Sequence, residues 1–248
     1  MKYVLSFCSL LLSVTEWVNA QEFVTRGKIE FEIKVNNKHN YTAEEKAENS
    51  FIASLPEYTI SYRDLIFSWN QSVYQLGKKG TVAINAQNEG VVYTDLDKQE
   101  TIQKSRQIDE YYVFADSSKK VKWKIENQTR KIAGWDCRKA VGRIYDSVYV
   151  VAFYCPEIIP QGGPEMFNGL PGMILGLAIP RHYTTWFATK VEIANIDESK
   201  ITPPVSKKKQ LTKRELAELV LKKYKSAGWW KDETLADMME NISGYISN

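Results

Sequence analysis

Histidine is almost missing from this 248-residue chain: there are two, His39 in a polar Asn-Asn-Lys-His-Asn stretch and His182 at the start of an expected strand. Neither has a second histidine or a cysteine at ligand spacing, so no zinc or copper site is expected. Glycine-rich phosphate loops are absent, because Gly162-Gly163-Pro164 has no Lys-Ser/Thr sequel. No Gly-x-Ser-x-Gly elbow occurs either. Long apolar runs are also missing: past residue 20 none, the seven residues 173–179 included, comes near the length of a membrane span. Catalysis would be left to carboxylates such as Glu157, Glu165 and Glu192, paired in space as a hydrolase acid and base. The chain therefore reads as a non-enzymatic binding protein ahead of an enzyme, with no cofactor and no nucleic-acid partner.

What is present begins with a leader. Residues 1–20 carry an early Lys2, an apolar run through Val14, and small or β-branched residues in Val18-Asn19-Ala20. This is the pattern of a secretory signal peptide cleaved before Gln21. Cys8 follows bulky Phe7 and only seven residues precede it, which disfavours a lipid anchor. The remaining 228 residues suffice for a sizeable core. Their charge is unevenly spread: 22 basic and 23 acidic side chains over 21–199, ten basic against two acidic over 200–231, then four acidic and none basic.

Residues 21–199 read as a β-rich domain: a mainly antiparallel curved sheet or open barrel with one early helix. Over 23–35, Ile29, Phe31 and Ile33 alternate with Lys28, Glu30, Glu32 and Lys34, the period of a sheet with one wet face. Thr42 and Glu45 form a capping box for the helix, Ala43, Ala47 and Phe51 share its inner face, and Pro56 closes it. Short strands are expected at 58–62, 65–69, 73–76, 91–93, 110–115 and 121–125, and a long one over 183–196.

The most buried stretch should lie near residues 169–179, Gly-Leu-Pro-Gly-Met-Ile-Leu-Gly-Leu-Ala-Ile. Leu170-Pro171-Gly172-Met173 spells a type II turn, with Gly169 before it. Residues 173–179, stopped by Pro180, fit a strand covered on both faces. Gly176 inside that strand points to close approach by another backbone or a large side chain.

Cys137 and Cys155 flank two strand-like runs, 138–144 and 148–154, whose midpoint is Asp146. Folding about that residue sets the cysteines opposite each other, Val141 against Val151 and Ala140 against Ala152. Cα atoms in a non-hydrogen-bonded antiparallel pair lie about 4.5 Å apart, within disulfide reach. A structural bridge is expected in preference to a redox-active dithiol, since the spacing lacks the helix N-terminus of a C-x-x-C site. Asp146-Ser147-Val148, at the hairpin tip, has the Asp-Ser/Thr-apolar form of a bacterial O-glycosylation tripeptide, which makes Ser147 a candidate for O-glycosylation.

Four ordered elements carry a resemblance: Gly134-Trp135-Asp136-Cys137-Arg138-Lys139-Ala140, Pro156-Glu157-Ile158, Gly163-Pro164, and Phe167-Asn168-Gly169-Leu170-Pro171-Gly172-Met173-Ile174. Together they are similar to the GLPGLI family of the Bacteroidota, with Met173 where the family name has leucine. That family has no assigned activity, so the resemblance implies compartment and architecture: an exported protein of the periplasm or the periplasmic face of the outer membrane. Cys137 matches the family pattern, whereas Cys155 stands where many relatives have a hydroxyl residue. The family also resembles the bowl-shaped non-catalytic domain that precedes some flavobacterial glycoamidases.

Composition changes at residue 200. Residues 200–211 form a basic Pro/Lys linker, and 212–248 a helical tail, in which Thr212 and Glu215 cap an amphipathic helix that runs to Ser226 and stops at Gly228. Leu216, Leu219, Val220, Tyr224 and Ala227 form one face, with Lys222 and Lys225 on another and Trp229-Trp230 directly after. Three roles fit this tail: docking on its own barrel with the tryptophans plugging the mouth, contact with an anionic membrane, or docking on an acidic partner. Six tryptophans lie past residue 20, and inward aromatics on a curved sheet suit an apolar ligand or a sugar ring. Trp135, Phe167 and Trp186 are the expected ligand-binding residues. Lys222, Lys225, Trp229 and Trp230 are the expected lid or partner surface. The leading function is a periplasmic carrier of a hydrophobic small molecule or an exported polypeptide; the alternative is an interaction subunit of an outer-membrane transporter.

Overall fold

The computed structural model describes residues 23–39, 41–78, 80, 90–108, 110–117, 121–144, 148–230 and 232–242. The expected leader over 1–20, Asp146 and Ser147 lie outside them. Twelve strands form one open sheet: β1 (Arg26–Asn36), β2 (Tyr58–Ser68), β3 (Gln71–Leu76), β4 (Val91–Asp95), β5 (Glu100–Gln107), β6 (Glu110–Ser117), β7 (Lys124–Ile132), β8 (Trp135–Ile144), β9 (Val148–Cys155), β10 (Met173–Ile179), β11 (Thr184–Glu192) and β12 (Leu211–Thr212). Their spatial order is β12-β6-β5-β4-β3-β2-β1-β11-β10-β9-β8-β7. Neighbours pair antiparallel throughout, apart from the short parallel match of β12 to β6. The fold is mainly β as expected, and its sheet remains open.

The strand alternation read over 23–35 holds: Ile29, Phe31 and Ile33 are buried. Expected strands at 58–62 and 65–69 are one continuous β2, and the strand expected at 121–125 begins later, as β7. β5, whose sequence ETIQKSRQ lacks an apolar alternation, is an addition to the expected set. The early helix is two pieces, α1 (Ala43–Glu48) and α2 (Ser50–Ser54), broken at Asn49, whose side chain caps the second. The Thr42–Glu45 capping box is present. Phe51, expected on the inner face, is instead exposed, and Ile52 is the buried residue. His182 stands in a short 3-10 turn, Pro180–His182, rather than in a strand.

Register places side chains of one face in rows across the sheet. One row runs Ile29, Leu65, Tyr74, Val92, Gln103 and Phe114, from β1 to β6; all six are buried. A neighbouring row runs Phe67, Ser72, Thr94, Thr101 and Asp116 and turns polar as it leaves β2. On the opposite face Val73, Tyr93, Ile102 and Val113 pack beneath Ile196 and Ile201. The stretch after β11 is thus packed: buried Ile201 holds it as a strap over the outer face. Lys208 ties it to Glu110 at 2.8 Å, and β12 then covers the β6 edge.

The tail docks on its own sheet. Helix α3 (Lys213–Ser226) buries Leu216, Ala217 and Val220 against Tyr112 and Phe114 of β6, with Met238 and Ile242 of α4 (Leu235–Ile242). Lys213 meets Asp116 at 3.2 Å, and the Thr212–Glu215 capping box starts the helix. The tryptophans do not plug the sheet: Trp229 is 62% and Trp230 37% exposed, and both stack on Tyr224.

Candidate functional site

Residues 156–172, between β9 and β10, fold back against the sheet. The loop is anchored as a short parallel bridge, with Val24 N–H donating to Glu157 O and Ile159 N–H to Val24 O, each at 2.9 Å. Ile158, Met166, Phe167 and Leu170 enter the main core. The expected type II turn is not formed. Leu170 O accepts from Gly172 N–H at 2.8 Å, a three-residue turn about Pro171, while Met173 N–H goes to Ile158 O at 2.9 Å. Gly172 is required twice over: its φ is +138°, and a Cβ there would lie 2.1 Å from Cys155 O. Gly176 meets the expected large side chain, since a Cβ would lie 2.8 Å from Phe187 Cε1.

Of the residues expected to line an open aromatic site, Phe167 and Trp186 are core side chains, 1% and 2% exposed. Trp135 is half-buried at the start of β8, apart from them on the β7–β8 hairpin. The physical reason is the loop itself, whose apolar residues fill the space the aromatics were expected to line. Trp186 Nε1 donates to Glu165 Oε1 at 3.3 Å. Glu165 adopts the left-handed conformation, φ +55°, and burial raises its pKa above the usual carboxylate value, opposed by Arg63. The buried Tyr74 hydroxyl makes no hydrogen bond of good geometry, and burial together with the neighbouring Glu165 carboxylate raises its pKa. Glu192 is too far from Glu165 to pair with it as acid and base: it lies six residues along β11 from Trp186, about 20 Å at ~3.3 Å per residue, where it pairs with Lys190.

Cys137 and Cys155 are opposed as read: the β8–β9 register pairs Val141 with Val151 and Ala140 with Ala152. Both sulfurs are buried free thiols, not the expected bridge. The Cys137 thiol is pushed up in pKa by its hydrogen bond to Cys155 and by burial. The same bond lowers Cys155, helped by backbone N–H groups of Glu157 and Ile158.

At the surface end of the loop lies a cleft of about 370 Å³. One wall is Ile159, Gln161, Asn168 and Gly169; the other is Asn70 with Thr94, Asp95, Leu96, Asp97 and Gln99 of the β4–β5 hairpin. The walls are held separately. Asn168 O accepts from Trp123 Nε1 at 2.9 Å, and Gly169 N–H donates to Gln161 O at 2.9 Å. Across from them, Asn70 Nδ2 donates to Asp97 Oδ1 at 2.8 Å, and Leu96 N–H to Asn70 O at 2.8 Å. Asp95 is 2% exposed. Burial would raise its pKa, but the Lys98 backbone N–H and ammonium and the Gln71 amide outweigh it and hold the carboxyl below the usual range. Beside lining residue Thr94, its register partner Thr101 is wholly buried with an unpartnered hydroxyl. Sequence reading did not find this cleft. Its only local sign was the Asn168-Gly169 pair within the signature.

No family model matches the chain, and no curated protein matches it in sequence. Solved structures do. The structure of PNGF-II in its P21 crystal form has a TM-score of 0.53 and 15% identity, over 81% of this chain and 34% of that one. The C2 form gives 0.50 and 17%, over 80% and 33%. An uncharacterized conserved protein from Thermus thermophilus gives 0.38 and 7%, over 75% and 89%. The chain spans about a third of the length of the PNGF-II chains, and at such identities the likeness is one of fold.

Proposed function

We propose that this chain is an exported, non-enzymatic binding module of the GLPGLI kind that takes a polar ligand between its signature loop and the β4–β5 hairpin. The observation that carries this reading is the cleft, walled by the one loop that bears the family-like signature and lined mainly by planar polar side chains. Most apolar loop residues are spent on the core, so the free volume beside them is walled as much by polar as by apolar surface. This shifts the ligand away from the hydrophobic molecule expected from aromatic content. A binding role fits the carboxylates better than hydrolysis does. Within the cleft an acid–base pair would need one carboxyl raised towards neutrality, whereas Asp95 is lowered and engaged with Lys98 and Gln71; the raised carboxyl, Glu165, is buried on Trp186 and does not line the cleft. Export to the periplasm rests on the leader pattern of residues 1–20.

The test is native mass spectrometry of the protein purified from its own periplasm, alongside an Asn70→Ala/Asp97→Ala variant. A small bound mass in the natural protein that disappears in the variant supports the reading. No bound mass, or one that the variant keeps, overturns it. A second reading is favoured by the exposed Trp229 and Trp230, stacked on Tyr224 beside exposed Lys222 and Lys225. Such a surface suits an acidic face of an outer-membrane transporter or the membrane itself.

A further inference from the structure

The cleft's own chemistry narrows its ligand, and this step rests on the reading just given. Six lining residues present planar amide or carboxylate groups: Asn70, Asp95, Asp97, Gln99, Gln161 and Asn168. Among the described residues no lysine or arginine lines it, and neighbouring Lys98 turns its ammonium onto Asp95 at 3.1 Å. A phosphate, sulfate or carboxylate ligand would therefore meet two carboxylates and no cation. A cationic ligand would gain little from Asp95, whose charge is already matched. Among the described residues no three acidic, histidine or cysteine side chains converge as metal ligands. What remains complementary is a neutral molecule dense in groups that both donate and accept, namely hydroxyls.

The rim supplies the other half. Trp69 immediately precedes Asn70, sits in the left-handed conformation at the β2–β3 corner with φ +50°, and is 55% exposed. Its backbone N–H is fixed on Thr25 O at 2.7 Å. Ile159, itself lining the cleft, is 46% exposed. Trp69 is not itself a lining residue, but it stands next to lining residue Asn70 and its ring is left out of the core. Such a ring offers an apolar face that can pack on the C–H side of a pyranose. The buried, unpartnered Thr101 hydroxyl beside Thr94 marks further unspent hydrogen-bonding capacity under the same wall.

We infer that the cleft binds a neutral saccharide, gripping the hydroxyls of one or two terminal rings through Asn70, Asp97, Gln99, Gln161 and Asn168, with Trp69 as platform. A volume near the lower end of the ~300–1,000 Å³ typical of ligand sites fits a terminal unit better than a long chain.

The experiment is a ¹⁵N NMR titration of the exported chain with methyl mannoside, N-acetylglucosamine and its dimer, and cellobiose, with spermidine and calcium chloride as contrasting probes. The expected result is a shift of the Asn70 and Gly169 amides by at least one saccharide, with a Kd of about a millimolar or below. Trp69→Ala should weaken that binding about tenfold, as loss of one ring platform would, and leave the rest of the spectrum in place. Shifts at these amides with spermidine or calcium alone overturn the saccharide inference and leave a ligand cleft standing. No cleft shift with any saccharide overturns the inference too, and the native-mass comparison then decides separately whether the cleft holds a ligand at all. Saccharide binding undiminished in Trp69→Ala overturns the platform role.

Discussion

Gly172→Ala is the substitution for which the structure makes the firmest demand. The added methyl would lie 2.1 Å from Cys155 O, 2.8 Å from Cys155 C and 2.9 Å from Pro156 Cα. All three are backbone atoms, so no rotamer change relieves the contact, and the chains must separate by more than 1 Å to restore an ordinary distance. That separation falls where Met173 pairs with Cys155 at the start of the β9–β10 ladder, and where Met173 N–H reaches Ile158 O. Losing one or two such bonds costs about 1 kcal/mol each. Holding alanine at φ +138° adds about 1–3 kcal/mol, for a total of about 3–5 kcal/mol. For a chain of this size that is a fall in Tm of ~10 °C. Gly169→Ala is the internal control: its φ is +88°, but nothing lies within 4 Å of the added Cβ, so only the conformational cost of about 1–2 kcal/mol applies. Urea unfolding followed by tryptophan fluorescence should rank Gly172→Ala at least 1 kcal/mol worse than Gly169→Ala. Equal losses would refute the argument that backbone contact, not torsion alone, demands glycine here.

Further outcomes follow from other parts of the molecule. The opposed thiols of Cys137 and Cys155 should close to a bridge in an oxidising compartment, seen as a two-proton mass deficit abolished by reductant and worth about 3 kcal/mol; titration of both thiols in protein recovered from such a compartment would rule it out. Glu165 has a folded pKa above its unfolded one, chiefly from burial, so its contribution is fully present below the unfolded value, about 4.3, and is lost as pH rises through the folded value. Glu165→Gln should therefore gain on the natural protein in urea unfolding as pH rises above about 4, and a constant difference would contradict that. Leu216→Ala, at a wholly buried position of α3, should cost about 2–4 kcal/mol; a negligible change would mean the tail does not dock on β6. Trp229→Ala/Trp230→Ala should leave unfolding nearly unchanged, because both rings stand outside the core, and a loss above about 1 kcal/mol would show otherwise.

Features fixed by near neighbours were legible in the sequence. The alternation of Ile29, Phe31 and Ile33, the capping boxes at Thr42 and Thr212, the apolar run of β10 and the hairpin that opposes Cys137 to Cys155 all depend on residues a few positions apart or on one turn. β5 escaped because Thr101, Gln103 and Ser105 give its inner face no apolar pattern; only pairing with β4 and β6 makes it a strand. Phe167 and Trp186 announced an aromatic site by type alone, yet whether an aromatic lines a cavity or fills one depends on what packs opposite. Here residues 156–172 do the filling. The cleft lay furthest from sequence reading. Asn70, Thr94 to Gln99 and Ile159 to Gly169 are three distant segments with no shared motif. Local periodicity determined the strands, the caps and the buried signature. Strand order and the fold-back of one loop, set by non-local burial, decided which polar groups face each other across open space.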